Sequence, residues 1–284
     1  MEPTRQDQRT RRRPLGPTFV VGAALVGLVV LFALISFVWT PYDPTRVDPT
    51  VRLVGPGAEH WLGTDKFGRD VFSQLLVGAR TTLFVGFIAV GVAAVIGTPL
   101  GILAAMTRWR VLSELVMRGN DLLLAFPALL LAIMFGAVFG ASTLTAMIAI
   151  GIATVPSFAR LARSGTLQVM ATEYITAARV AGRSTLAIAW RHVLPNIGAV
   201  VIVQASVSFA IAVLAEAALS YLGFGTVPPT PSWGRMLQES QQFIFDKPLL
   251  LLWPALAIAV AVLGFNLLGD GLRDLLDPRL EERR

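Results

Sequence analysis

The sequence has 284 residues, of which 55% are hydrophobic, only 15% are charged and none is cysteine. A soluble domain carries about 25% charged residues, so this composition excludes an ordinary soluble enzyme, a disordered regulator and a nucleic-acid-binding protein. The formal net charge of +6 comes from arginines spread along the chain, and the apolar excess outweighs it. The absence of cysteine excludes disulfide frameworks and thiol catalysis. We therefore predict an integral membrane protein.

Long stretches without a charged residue locate the membrane spans, because a transmembrane helix needs about 20 mainly apolar residues. Five such stretches occur, at residues 14–42, 81–107, 122–159, 192–215 and 248–269. As one helix, the third stretch would be about 57 Å long, nearly twice the thickness of the hydrocarbon core. We predict that it holds two spans joined by a tight turn at Gly140-Ala141-Ser142, which makes six crossings in all.

The predicted topology follows from the distribution of basic residues. The predicted order is a basic tail (1–17), a first span (18–40), a loop (41–80), a core of five more spans (81–269) that contains a long connector (160–196), and a second tail (270–284). Lys and Arg concentrate in the two tails and in residues 107–118 and 160–196, so the positive-inside rule predicts that both termini are cytoplasmic. The apolar run from Phe19 to Trp39 is too long for a signal peptide, so the first span is predicted to remain uncleaved.

The sequence carries no recognisable catalytic arrangement. Its two lysines, Lys66 and Lys247, lie outside any G-x-x-x-x-G-K-[ST] motif, so no P-loop for ATP is present. Its two histidines, His60 and His192, are predicted to lie on opposite sides of the membrane, which excludes a shared metal centre or a Ser-His triad. We predict that the chain is not an enzyme and holds no cofactor.

The connector at 160–196 is predicted to fold into two short helices. Residues 173–181 favour a helix, Gly182 interrupts it, and Ser184 or Thr185 can cap a second helix that ends at Pro195. One apolar side of this second helix is predicted to consist of Leu186, Ile188, Trp190, Val193 and Leu194. A helix–Gly–helix knob with a basic rim (Arg179, Arg183 and Arg191) has a shape suited to docking into a partner.

This connector resembles the "EAA" loop of ABC importer permeases. Ala177, Ala178, Gly182, Leu194 and Pro195 have the spacing of that motif. Two positions differ, since Thr176 stands in place of its Glu and His192 in place of its Ile. The resemblance implies that the connector couples to an ATPase through Glu173, Thr176, Ala177, Ala178, Arg179, Gly182, Arg183, Leu194 and Pro195.

Four further blocks resemble dipeptide/oligopeptide-type permeases in the same order. They begin at Trp61, Met117, Glu216 and Gly269, the last ending in Asp277-Pro278-Arg279, and the short tail with one span resembles the second ("C"-type) permease of such importers. The resemblance implies an all-α, type I permease bundle in the bacterial cytoplasmic membrane, surrounded by lipid. The implied partners are a second homologous permease, two ATPase subunits that bind ATP and Mg, and an extracytoplasmic substrate-binding protein. The implied cargo is a dipeptide or oligopeptide, with nickel and glutathione as alternatives.

Several polar residues outside the connector have two interpretations. Glu216, at the outer end of the fifth span, either lines the translocation path or gate, where it would meet the substrate's ammonium group, or pairs locally. Arg118 and Asp121 are predicted to form a local pair. The Asp65, Arg69 and Asp70 cluster is predicted to form a self-neutralising loop, although it could also serve as a landing site for a binding protein. Trp233 is predicted to anchor the chain at the membrane interface.

Two other classes of function remain open at this point. A secondary transporter or channel acting alone would need inverted repeats or ionisable residues within its spans, and Glu216 is the only candidate for such a residue. A membrane scaffold would use the connector only as a binding module.

Overall fold

The computed structural model describes residues 16–276. Residues 1–15 of the basic N-terminal tail and residues 277–284, which include the Asp277-Pro278-Arg279 block, therefore lie outside the described residues. The described part is all-helical, as predicted. Its ten α-helices are α1 (Pro17–Val38), α2 (Val71–Met106), α3 (Arg110–Ala125), α4 (Ala128–Phe139), α5 (Thr143–Met170), α6 (Glu173–Val180), α7 (Thr185–Ile188), α8 (Leu194–Tyr221), α9 (Trp233–Ser240) and α10 (Pro248–Leu276).

Five helical segments are long and apolar enough to cross a membrane. They are α1, α2, α5, α10 and the continuous helix Thr185–Tyr221, which contains α7 and α8. A sixth crossing requires α3 and α4 to be counted together, although the two helices are bent by 88° relative to each other. The six predicted crossings therefore correspond to five membrane-length helices and one bent pair.

The predicted third span before Gly140 is not one continuous helix, because α3 and α4 meet at a sharp bend. At 1.5 Å per residue, α4 is only about 18 Å long, which is too short for a core of about 30 Å. The break lies at Phe126, whose φ of −87° and ψ of 127° are extended. Pro127 favours this break, because a proline ring disfavours the helical region for the residue before it. Pro127 therefore lies between two helices, whereas Pro99, Pro156 and Pro254 lie inside α2, α5 and α10.

The predicted turn at residues 140–142 is present. Gly140 ends α4 with a φ of +87°, which a residue without a side chain adopts readily. Ser142 then starts α5, since its hydroxyl accepts a hydrogen bond from the backbone N–H of Thr145 at 3.1 Å.

Glycines allow α1 to pack closely along α10. A side chain at Gly22 would collide with the backbone of Leu267 and Leu268, and one at Gly271 would collide with Phe19. Such small residues let helix backbones approach one another in a membrane, where packing replaces the hydrophobic effect. The N-terminal helix is thereby attached to the last helix of the bundle.

Two regions at opposite ends of α8 are distinct from the bundle. The first, which we name the knob, comprises residues 171–193 before α8. It is shorter than the predicted connector because α5 continues to Met170. The second, which we name the cap, comprises residues 39–70 and 222–247, the latter following α8 and including α9.

Candidate functional site

The first half of the knob is α6, whose end is determined by Gly182. Glu173 lies in the first turn of α6 and Arg179 in its last turn, so both charges complement the helix dipole. Gly182 has a φ of +75°, and its N–H donates to the carbonyl of Arg179 at 3.0 Å. The N–H of Arg183 donates to the carbonyl of Ala178 at 3.1 Å. This pair of bonds is the Schellman ending of a helix, which favours glycine in the left-handed position.

The second half of the knob joins α8 without a break. Of the two predicted caps, Ser184 is the one used, because its hydroxyl accepts from the N–H of Ala187 at 3.2 Å. The prediction that Pro195 ends this helix is wrong. Residues 189–193 form a π-helical turn that leads directly into α8, and Pro195 lies in the first turn of α8.

The apolar residues of the second half face two directions, so the single apolar side predicted for them is wrong. Ile188 and Val193 are buried in a cluster with Ile175 of α6, Ala162 of α5 and Ile197 of α8. Leu186 and Trp190 are exposed. The knob is therefore anchored by one set of aliphatic side chains and presents another set on its surface.

The residues expected to couple to an ATPase all lie in the knob or in the first turn of α8. Seven are exposed, namely Glu173, Thr176, Ala177, Arg179, Gly182, Arg183 and Pro195. Ala178 and Leu194 are half-buried, and Ala178 packs against the aliphatic cluster. Val180, Leu186 and Trp190 are also exposed, so the knob presents apolar side chains together with arginines on its surface.

Glu216 lies near the end of α8 and is only 1% exposed. Its Oε1 atom accepts hydrogen bonds from the hydroxyls of Ser220 at 2.6 Å and Thr226 at 3.3 Å. Its Oε2 atom has no hydrogen-bond partner within residues 16–276. In this structure Glu216 therefore pairs locally and joins α8 to the cap.

A buried ionic network joins the two parts of the cap. Arg69 donates from Nε to Asp65 at 2.6 Å and also pairs with Glu239 of α9. Glu239 in turn accepts from Nε of Arg235 at 2.9 Å, and Gln74 of α2 donates to Asp65 at 3.0 Å. The loop before α2 and the helix α9 are thereby held together by paired charges.

Asp70 has a different role in the cap from Asp65. One carboxylate oxygen of Asp70 lies 2.9 Å from Nδ1 of His60, and the other accepts from the backbone N–H and the hydroxyl of Ser73, both at 2.7 Å. Asp70 is therefore the N-cap of α2. Of the predicted self-neutralising cluster, Asp65 and Arg69 pair with each other, and Arg69 also pairs with α9, whereas Asp70 pairs with His60 and caps α2.

Two repeated turns lie on the surface of the cap, in Asp43-Pro44-Thr45 and Asp48-Pro49-Thr50. In each turn the carboxylate accepts from the hydroxyl and the backbone N–H of the threonine two residues later. These bonds stabilise the ionised carboxylates and lower the pKa of Asp43 and of Asp48 below its ordinary value. Between residues 16 and 276, no three carboxylate or imidazole groups converge in a metal-binding arrangement.

Two further predictions are wrong because the tertiary partner differs from the local one. Trp233 is buried, not interfacial, since it packs over Gly78 and its indole N–H donates to the carbonyl of Leu75 at 3.1 Å. Asp121 pairs with Arg160 of α5 at 2.6 Å instead of with Arg118.

Glu239 was not among the predicted residues, and its separation of 170 residues from Arg69 left no local signal.

Membrane-length apolar helices in a tightly packed bundle define a multi-pass helical membrane protein. Residues 97–282 match the family described as "Binding-protein-dependent transport system inner membrane component", and the chain belongs to this family. The match includes the knob and the second part of the cap, whereas α1 and the loop before α2 precede it.

Relatives with established names match almost the whole chain. It is 43% identical over 289 residues to the dipeptide transport system permease protein DppC of Alkalihalophilus pseudofirmus, covering 98% of this chain and 94% of the relative. It is 40% identical to the di/tripeptide permease DppC of Pseudomonas aeruginosa (92% of this chain, 88% of the relative) and 41% identical to the glutathione permease GsiD of Pectobacterium atrosepticum (91% and 87%).

A solved structure shares the fold. A chain of the inward-facing MetNI methionine ABC transporter superposes with a TM-score of 0.60 at 19% identity, covering 72% of this chain and 97% of that chain. The expected type I permease architecture is therefore confirmed.

Proposed function

We propose that this chain is a permease subunit of an ATP-driven importer and forms half of a translocation pathway for dipeptides or oligopeptides. The relatives named for dipeptide and di/tripeptide transport support this cargo, and the glutathione permeases among the relatives make glutathione, itself a peptide, the second candidate. The observation that carries the proposal is the exposed apolar knob with its arginines, in a chain that belongs to the binding-protein-dependent family. Nickel, the other cargo expected from the sequence, has no support among the relatives described above.

The knob is the proposed docking site for ATPase subunits. The apolar surface of Val180, Leu186 and Trp190 would fill a cleft in the ATPase, and the exposed Arg179 and Arg183 would pair with carboxylates at its rim. ATP and Mg would bind in the ATPases, and this chain would hydrolyse nothing itself. When ATP closes the ATPase dimer, the knob would move with it, and the movement would pass through the continuous helix Thr185–Tyr221 to the cap.

The remaining partners and the topology belong to the same proposal. A second, homologous permease would supply the other half of the pathway, and a substrate-binding protein would deliver cargo at the cap. The concentration of Lys and Arg in the tails and the knob supports a bacterial cytoplasmic membrane location with both termini and the knob in the cytoplasm.

A groove of about 480 Å³ between α5, α8 and α10 is a candidate for part of the pathway wall. Its lining is mostly aliphatic, but Gln204 of α8 and Arg273 of α10 also face it. Gln204 donates from Nε2 to the hydroxyl of Ser208 at 3.1 Å. Hydrogen-bonding groups in an apolar wall are a means of guiding a polar solute.

The test is purification of the intact complex through a tag on this chain, followed by reconstitution into vesicles. Uptake of a labelled dipeptide, glutathione and Ni²⁺ is compared with ATP, without ATP and with a non-hydrolysable analogue. Uptake of the dipeptide only with ATP and only in the presence of the ATPase and binding protein supports the proposal. Uptake by this chain alone would establish a secondary transporter or channel. Copurification without uptake of any of the three solutes would favour a scaffold.

A further inference from the structure

The helix that joins the knob to the bundle contains a local change of helical geometry. Residues 189–193 form a π-helical turn, in which the N–H of Leu194 donates to the carbonyl of Ala189, five residues earlier. The helix before this turn and the helix after it are otherwise continuous from Thr185 to Tyr221. Single π-turns inside α-helices are uncommon and frequently mark functional positions.

The position of Pro195 explains why residues 189–193 form a π-turn and not a turn of α-helix. In a regular α-helix, the proline ring would collide with the carbonyl of the residue four positions earlier, which is Arg191, and that carbonyl would also lack its donor. A π-turn immediately before the proline moves the preceding carbonyls away from the ring. The side chain of Asn196 adds a donor at the same place, since its Nδ2 atom donates to the carbonyl of His192 at 2.6 Å.

The π-turn contains one more residue than a turn of α-helix, and this extra residue determines which side chains are buried. In a regular α-helix each residue rotates by about 100°, so Ile188 and Val193, five positions apart, would lie about 140° apart. In the structure both are buried in one cluster, with exposed fractions of 2% and 0%, together with Ile197. Leu186 and Trp190, four positions apart, share the opposite side and are 68% and 66% exposed.

We infer that Pro195 is a positioning residue that acts through the π-turn. By disfavouring regular α-helical geometry at residues 189–193, it sets the rotation of the knob about the axis of α8, so that Ile188 is buried and Leu186 and Trp190 point outward. The functional consequence rests on the proposed docking of an ATPase to the knob, whereas the rotation itself is a property of this chain alone. No contact between Pro195 and the ATPase is needed.

The rotation is measured by cysteine labelling, since the chain has no native cysteine. Single variants Leu186→Cys and Ile188→Cys are made in the chain with Pro195 and in the chain with Pro195→Ala, and a water-soluble maleimide is added to membranes. With Pro195, the Leu186→Cys variant is labelled fast and the Ile188→Cys variant slowly. With Pro195→Ala, the turn relaxes to α-helix, the knob rotates by about 100°, and the order of the two labelling rates reverses. An unchanged order with Pro195→Ala would overturn the inference.

A compensating deletion separates this role from a general need for proline. Deleting Arg191 in the Pro195→Ala chain puts Ile188 and Val193 four positions apart, so that a regular α-helix buries both. We expect this deletion to restore the original labelling order and ATP-coupled uptake, which Pro195→Ala alone abolishes. Failure of the double change to restore the labelling order would also contradict the inference.

Two controls complete the experiment. Pro99→Ala replaces an exposed proline within α2, where no π-turn occurs, and should leave both labelling and uptake unchanged. Arg191→Ala tests whether loss of the charge, and not the change of spacing, explains the effect of the deletion. If the labelling order reverses while ATP-coupled uptake continues, the positioning role stands, and the proposed docking surface is the part that fails.

Discussion

The cap and the knob lie at opposite ends of α8 and are stabilised by different forces. In the cap, buried charges are paired with one another, as in the Asp65–Arg69–Glu239 network, and Trp233 fills a space left by Gly78. In the knob, three buried aliphatic residues, Ile175, Ile188 and Val193, hold two short helices against α5 and α8, while other apolar residues remain exposed.

The difference indicates how each region would work in an importer. A protein loses much stability when one partner of a buried ion pair is removed. We therefore expect the cap to keep its conformation as one unit with the ends of α2 and α8. The knob exposes apolar surface that a partner can cover, so its exposed residues should matter for docking more than for folding. Mutations in the two regions should therefore separate effects on stability from effects on coupling.

The largest effect on stability is expected for Arg69→Ala. It leaves the buried carboxylates of Asp65 and Glu239 without their shared cation, which should cost about 3–5 kcal/mol. Chemical unfolding of the purified protein in detergent measures the change. The matched control is Arg110→Ala, which removes an exposed pair with Glu114 and should cost about 0.5 kcal/mol or less. Equal losses for the two variants would contradict the picture of a rigid cap.

In the knob, Gly182→Pro and Ala178→Asp should abolish uptake and uncouple ATP hydrolysis while the protein still inserts into the membrane. Proline cannot adopt the φ of +75° found at Gly182, and an aspartate at 178 would place a charge beside the aliphatic cluster. Gly182→Asn is the control, because Asn tolerates the left-handed conformation, and it should keep most of the activity. Uptake and ATPase rates in vesicles are the measurements, and normal coupling in the proline variant would refute the role of the knob.

Glu216 provides an intermediate case. Glu216→Leu should cost about 1–3 kcal/mol, since the buried hydroxyls of Ser220 and Thr226 would lose their acceptor. Glu216→Gln keeps a carbonyl acceptor and should preserve both stability and the KM for peptide uptake. A large rise in KM for the glutamine variant at unchanged stability would show instead that the carboxylate meets the cargo during transport.

The smallest effect is expected where α3 meets α5. Asp121 and Arg160 form a pair in which both side chains are about half exposed, so Arg160→Ala should change stability by less than about 1 kcal/mol. Unfolding at low and high salt provides the measurement, because salt screens an exposed pair. A loss as large as that of Arg69→Ala would mean that burial is not what distinguishes the cap.

The sequence by itself determined the features that depend on neighbouring residues. The length of the apolar stretches predicted the membrane-length helices, Gly140-Ala141-Ser142 predicted a turn, and Gly182 with Ser184 predicted two short helices. These predictions hold because hydropathy, backbone freedom at glycine and hydroxyl capping act within a few residues.

Only the tertiary structure decided the features that depend on distant residues or on a competition between local forces. Arg69 pairs with Glu239, and Trp233 donates a hydrogen bond to the carbonyl of Leu75. The residues of each pair are separated by about half the chain, and no local pattern encodes such contacts. Pro127 and Pro195 both oppose a regular helix, yet one bends the chain by 88° and the other is absorbed by a π-turn. At Pro195 the burial of Ile188 and Val193 against α5 and α8 favours a continuous helix over a broken one. The helix preferences of neighbouring residues do not include this burial.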